Sequence, residues 1–340
     1  MVSDITQILV VSKNEVIKCV RGRKFLVSLA VIVLVFLLIT AMQFVVGNWD
    51  DLNSMGQFMS TYFDTFPTVI TLVVALLSSI ALVSEFEERT ALILFTRPVR
   101  RTSVFIGKVL SCTIIEALII LAYYAMATVV ALMKVDDLSI DLLASYGLSV
   151  LYAFAASGIA FIISAFLKKG SVCTVISILL LVIVFPIAST MVASGDGENW
   201  YMIDQAGKTV CTCVPEYVDM YNETLEQFGL VVDSAISILE GFTDERMIQA
   251  VAGLNAFMQS PEFLNLDPGT QMSLGAIAAF MNQATPDSLW GMIMVLKVMA
   301  TSSLLKPMED PDLVREAGVM LAWGIVAYLI AWARFIRREF

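Results

Sequence analysis

The chain is 340 residues long with a net charge of −10, and it is 58% hydrophobic against 15% charged, at a mean hydropathy of +0.82. Soluble domains lie nearer half apolar and a quarter charged, so this balance marks an integral membrane protein, and the acidic sum argues against nucleic acid as a partner. There is no histidine, which excludes His-dependent triads, HExxH metal sites and His proton relays, and the five scattered cysteines (Cys19, Cys112, Cys173, Cys211, Cys213) form neither a disulfide framework nor a CxxC…CxxC zinc pattern.

A polar leader, residues 1–24, opens the chain. Its Ile5, Ile8, Leu9, Val16 and Ile17 set against Lys13 and Lys18 read as an interfacial amphipathic helix. Crossing a bilayer takes ~20 apolar residues per helix. Six stretches qualify: Phe25–Val46, Phe66–Val83, Val104–Met133, Leu142–Phe166, Val172–Val192 and Ala317–Ile336. The first reads as an anchor, since its leader and apolar run are both too long for a signal and no small-x-small cleavage site follows. A further apolar stretch, Leu289–Leu305, would bury Lys297 at mid-bilayer and is rejected as a span.

Basic loops stay in the cytoplasm. Lys13, Lys18, Arg21, Arg23 and Lys24 precede the first span, Lys168 and Lys169 follow the fourth, and Arg334, Arg337 and Arg338 close the chain. The intervening loops are acidic, with Asp50, Asp51 and Asp64 in one and Asp136, Asp137 and Asp141 in the next. Six spans with both termini inside satisfy this alternation.

The densest charge run, Ser84–Lys108, follows the second span and is expected in the cytosol. Glu85, Glu87 and Glu88 suit the positive end of a helix, Leu92, Ile93 and Leu94 form an apolar patch, Pro98 stops or kinks the helix, and Arg100, Arg101 and Lys108 follow. Snorkelling accounts for Lys108 and extends to Arg100 and Arg101. It does not account for three acids and an apolar patch together, whereas a docking surface for a cytosolic protein does.

Within the spans, Glu116 is an intramembrane carboxylate and a candidate for lining the translocation pathway or taking up a proton. The plainer reading, and the favoured one, is a carboxyl hydrogen-bonded to a neighbouring helix or reached by water. Ala156, Ala160 and Ser164 form one small-residue stripe on the fourth span, and Ala153 and Ser157 a second; both predict close helix packing. Pro186 predicts a kink near the end of the fifth span.

Residues 193–316 hold 18 acids against five bases (Lys208, Arg246, Lys297, Lys306, Arg315). Capping residues precede proline at Ser260-Pro261, Asp267-Pro268, Thr285-Pro286 and Asp310-Pro311, and Met247, Val251, Leu254 and Met258 recur at helical spacing. A helical outer domain is expected, with Asp310-Pro311 starting the helix of the sixth span. Asn222-Glu223-Thr224 is an N-glycosylation sequon. Cys211 and Cys213 could hold a soft metal or form a strained bond. Methionine serves more often as adaptable packing than as a copper ligand, and no metal site is assigned.

The pattern Glu-x-Glu-x-x-Thr, leucines, Arg-Pro-Val-x-Arg, then Gly-Lys is carried by Glu85, Glu87, Thr90, Leu92, Leu94, Pro98, Val99, Arg101, Gly107 and Lys108. It resembles the loop of ABC-2 type transporter permeases, nearest the nitrous-oxide-maturation and gliding-motility group. Arg89 departs from it, standing where glycine commonly precedes the threonine. The resemblance implies an exporter-type half that pairs with a second permease subunit, as homodimer or heterodimer. Each half would bind a separate ABC ATPase through a coupling loop, residues 84–103, with Glu85, Glu87, Glu88, Arg89, Thr90, Leu92, Leu94, Pro98, Arg100, Arg101 and Lys108 as its contacts. ATP and Mg would sit in that partner, since Gly107-Lys108 is followed by Val109 and no Walker A motif occurs in this chain. No catalytic residue and no cofactor of its own is expected.

The expected architecture is therefore an all-α membrane protein at the plasma membrane. It comprises a cytoplasmic interfacial helix (1–24), five transmembrane helices (25–192), an extracytoplasmic helical domain (193–316), and a sixth helix with a basic cytoplasmic tail (317–340). The rival reading is a non-transporting scaffold whose outer domain recruits an extracellular assembly. An intramembrane enzyme is weaker, with no histidine, no GxSxG and only one clearly intramembrane acid.

Overall fold

A computed structural model describes residues 4–46, 49, 52–87, 100–135, 139–194, 199–241, 253, 256–260, 263, 307–308 and 310–337. Regular structure among the described residues is helical, without strands. Two compact units divide the chain, one comprising Met1–Met220 with Glu309–Phe340 and the other Tyr221–Met308. The division falls inside the 193–316 segment, so its first helix and its last residues belong with the spans.

In the first unit, α1 (Asp4–Arg21) leads into α2 (Arg23–Val46). α2 is apolar all round, as a helix surrounded by apolar groups must be. The six helices long and apolar enough to cross a membrane are Phe25–Val46, Met55–Ile80, Arg101–Lys134, Asp141–Phe166, Gly170–Val192 and Leu313–Arg337. They match the six expected spans, with changed edges.

The second span begins earlier than hydropathy implies. It is built from α3 (Met55–Phe63) and α4 (Phe66–Leu77), closed by a 3₁₀ turn at Ser78–Ile80. Asp64, read above as a loop acid, stands at the joint. The Tyr217 hydroxyl donates to its Oδ1 at 3.1 Å. Pro67 sits in the first turn of α4, where its missing N–H costs nothing. Around this joint Phe58, Tyr62, Phe63, Phe66 and Tyr123 are fully buried. Phe66 stacks on Tyr123 at 4.1 Å between ring centroids, and Tyr123 donates its hydroxyl to the carbonyl of Tyr62.

A short helix, α5 (Val83–Glu87), follows the second span. α6 (Arg101–Lys134) and α7 (Asp141–Phe166) are the third and fourth spans. Both small-residue stripes of α7 are buried: Ala153, Ala156, Ser157, Ala160 and Ser164 are each at most 1% exposed. Gly158 faces α12 (Leu313–Arg337), the sixth span. A Cβ at Gly158 would stand 3.0 Å from Ala327 Cβ and 3.1 Å from the carbonyl oxygen of Gly324. Small residues here let two backbones close on each other.

The fifth span runs from α8 (Gly170–Ile178) through a π-helical turn, Leu179–Val184, into α9 (Phe185–Ser194). The Phe185 amide reaches back to the carbonyl of Leu180. The irregularity expected from Pro186 is thus placed one turn before it, where the wider turn makes room for a ring that cannot donate.

α10 (Ile203–Thr212) is amphipathic and packs its Ile203, Ala206, Val210 and Cys211 face against α7. Gly207 lies against Tyr152, whose ring would be 2.8 Å from a Cβ there. Burial pushes the Asp204 carboxyl up, and Lys208 one turn later pulls it down. α11 spans Pro215–Gly241. The sixth span starts later than Asp310-Pro311: Asp312 is the cap. Its Oδ1 accepts the amides of Val314 at 3.2 Å and Arg315 at 3.1 Å.

In the second unit, Ser260 behaves as the expected cap, its Oγ accepting the Phe263 amide at 3.4 Å. Gly253 and Ala256–Met258 are helical, as the methionine spacing predicts. Leu289–Leu305, Asp267-Pro268 and Thr285-Pro286 lie outside the described residues.

Candidate functional site

Glu116 sits midway along α6 and is 1% exposed. Ser78 Oγ, from the 3₁₀ turn ending the second span, donates to Glu116 Oε1 at 2.6 Å. Ser157 of the fourth span and Tyr328 of the sixth lie beside the same carboxyl, and their hydroxyls share a hydrogen bond of 2.5 Å. Oε2 accepts no hydrogen bond among the described residues. Four spans thus meet at one acid. Each partner is fixed locally: Ser157 also donates to the Phe154 carbonyl at 3.0 Å, and Tyr328 packs with Leu82, Phe105, Phe161 and Phe335. This is the hydrogen-bonded carboxyl of the plainer sequence reading.

Nearer the basic end, the loop that begins at Ser84 is tied into the bundle at both described ends. Ser164 Oγ accepts the amides of Leu82 at 3.1 Å and Val83 at 3.0 Å, holding the chain just before the loop. Glu87 is exposed, yet its Oε2 accepts the Gly170 amide at 3.0 Å. Gly170 is the first residue of α8, so this carboxylate caps the fifth span from outside and opposes the positive end of its dipole.

At the far end, Arg101 Nη1 donates to the carbonyl of Ile336 on the sixth span at 2.9 Å. Arg100 pairs with Asp4 of α1 at 2.7 Å, both exposed. Lys108 is 2% exposed, with its Nζ 3.3 Å from Glu15 Oε2. The glycine before it has a structural reason: a Cβ at Gly107 would stand 2.7 Å from Val11 Cγ1 and 3.2 Å from the Ile8 carbonyl oxygen. Only glycine lets α1 lie this close along the third span.

Of the remaining expected loop contacts, Glu85 lies in α5. Glu88, Arg89, Thr90, Leu92, Leu94 and Pro98 lie outside the described residues. Asn222 is inside α11. Its Nδ2 donates to the Met308 carbonyl at 3.0 Å and its Oδ1 accepts the Met308 amide at 2.7 Å, so the sequon asparagine serves as a two-way backbone clip. No group of three or more metal-ligating side chains occurs among the described residues.

The sequence singles out Glu116, Glu87 and Arg101 but does not show what they touch. Ser78, Ser157, Ser164 and Tyr328 were overlooked as site residues. Their only signal was membership of small-residue stripes or apolar runs.

A family model described as ABC-2 family transporter protein matches residues 9–340. The chain belongs to the ABC-2 family of transporter proteins. No individual curated protein matches it. As an ABC-2 family protein with six span-length apolar helices, it is a multi-pass membrane permease of an ABC transporter. Membership implies association with an ABC ATPase and with the membrane.

Proposed function

We propose that this chain is the permease half of an ATP-driven exporter of the nitrous-oxide-maturation and gliding-motility group, at the plasma membrane. Both termini and residues 84–103 face the cytoplasm, and residues 193–316 face outward. Two permease subunits pair, and each receives a separate ATPase that holds ATP and Mg; this chain does no hydrolysis itself. Closure of the ATPases on ATP pushes the loop, the loop moves the spans, and the space between the two permeases opens to one side and then the other.

The observation that carries this reading is the anchoring of the loop. Its two described ends are bonded to the fourth span through Ser164, the fifth through Gly170 and the sixth through Ile336. A push delivered at either described end of the loop reaches three spans through direct hydrogen bonds. A hydrogen-bonded joint between rigid helices is the physical requirement for a lever.

The test is a single cysteine at Thr96 in a chain whose own five cysteines are replaced. A membrane-impermeant maleimide should label it in inverted vesicles and leave it untouched in intact cells. Labelling from the outside medium would overturn the orientation, and with it the coupling.

A further inference from the structure

Between α1 and the adjoining ends of the second and third spans lies a half-open cavity of about 340 Å³. Lys18, Lys108 and Glu15 supply its charge, and Leu77, Ile80 and Ile115 supply apolar wall. The volume is within the range of ligand pockets, ~300–1,000 Å³. Among the described lining side chains the charged groups are two ammonium groups and one carboxylate. Lys108 is almost wholly buried and Glu15 lies 3.3 Å from it.

The surroundings say which kind of anion fits. α1 leaves apolar side chains uncovered, with Ile5 at 69%, Leu9 at 57% and Val10 at 53% exposed. Lys13, Lys18, Arg21, Arg23 and Lys24 fall within twelve residues, on α1 and at its junction with the first span. An amphipathic helix with uncovered apolar side chains and a basic cluster beside a span is built for an anionic bilayer surface. A cavity at its inner edge that combines charged side chains with apolar span walls matches one amphiphile entering from that surface.

We propose that this cavity binds the headgroup of an anionic phospholipid, with Lys18 and Lys108 on the phosphate and the first acyl carbons along Leu77, Ile80 and Ile115. The lipid then wedges α1 against the third span. This site is independent of the transport reading: it concerns a leaflet lipid and not the cargo, and it stands whether or not the loop binds an ATPase. Inorganic phosphate shares the headgroup chemistry but has no use for the apolar wall.

Native mass spectrometry of the full chain, with phosphatidylglycerol and phosphatidylcholine at equal mole fraction, tests it. The wild type should retain phosphatidylglycerol preferentially. Lys18→Glu should lower that retention at least about fivefold, the worth of one basic side chain near a charged bilayer surface. Glu15→Gln, which removes the competing carboxylate, should raise it by a similar factor. A gain of that sign cannot come from misfolding. Equal retention of the two lipids, or no response to either substitution, overturns the site. Displacement of the bound phosphatidylglycerol by millimolar inorganic phosphate overturns the lipid assignment in favour of a free-phosphate site.

Discussion

Ser78 and Glu116 form a 2.6 Å hydrogen bond across 38 residues of sequence, joining the end of the second span to the middle of the third. Both are fully buried, so neither has water to fall back on. Ser78→Ala should cost about 1–3 kcal/mol, the penalty for stranding a buried polar partner, read as a lowered unfolding midpoint in detergent. Glu116→Gln keeps a side-chain carbonyl for the serine and should lose less. It should also leave ATP-driven transport running in a reconstituted complex. Transport abolished in Glu116→Gln at wild-type stability would reverse the packing role and place the acid in the pathway.

Glu87 and Glu88 are neighbours that should separate experimentally. Glu87→Ala removes the acceptor of the Gly170 amide and should cost about 0.5–2 kcal/mol, as loss of a helix cap does. Glu88→Lys should lower co-purification of the ATPase with an unchanged melting midpoint. Undiminished ATPase yield with Glu88→Lys would count against docking at the loop.

Spans four and six are spaced by their smallest residues. A Cβ at Gly324 would stand 2.6 Å from Phe154 Cε1 and 2.7 Å from its Cδ1. Gly324→Ala should therefore destabilise the unit by about 1–3 kcal/mol, the usual cost of overpacking. Gly318 on the same helix meets nothing within 4 Å, so Gly318→Ala is the matched control. Equal midpoints for the two variants would show that the Phe154 ring swings aside freely.

The cysteines should divide by pH. Burial pushes the Cys213 thiol from its ordinary 9.0 up to about 12, with a nearby Asp141 adding to the rise, and burial also raises Cys211. Alkylation needs the thiolate, so at pH 8 both should resist iodoacetamide while the half-buried Cys19 reacts. The linked stability is fully present below the unfolded value near pH 9 and is lost as pH rises toward 12, because the unfolded chain releases the proton first. Peptide mapping that found Cys213 modified in the folded protein at pH 8 would contradict its burial.

Periodicity and hydropathy made the six spans legible because each apolar run answers to bilayer thickness alone. In sequence the second span begins at Phe66, since Asp64 interrupts the apolar run. Only the packing of Tyr217 on Asp64 explains a carboxylate in that joint. Glu116 was visible as an acid in the wrong solvent, yet Ser157 and Tyr328 come from other helices and leave no local trace in the sequence. The cap of the sixth span was misplaced by two residues because Asp310 and Asp312 are equally good caps in isolation. Tertiary placement chose the later one.

The π-turn at Leu179–Val184 amounts to one residue more than a regular helix would hold. Removing any single residue from it should restore an uninterrupted α-helix and leave the direction of everything beyond nearly unchanged, because the wide turn holds its extra residue within about the same rotation as a regular turn. Phe185, whose ring meets Trp323 edge-on at 5.7 Å, would keep that direction. The two halves of the fifth helix are in effect kept in phase by the turn that swallows the surplus residue.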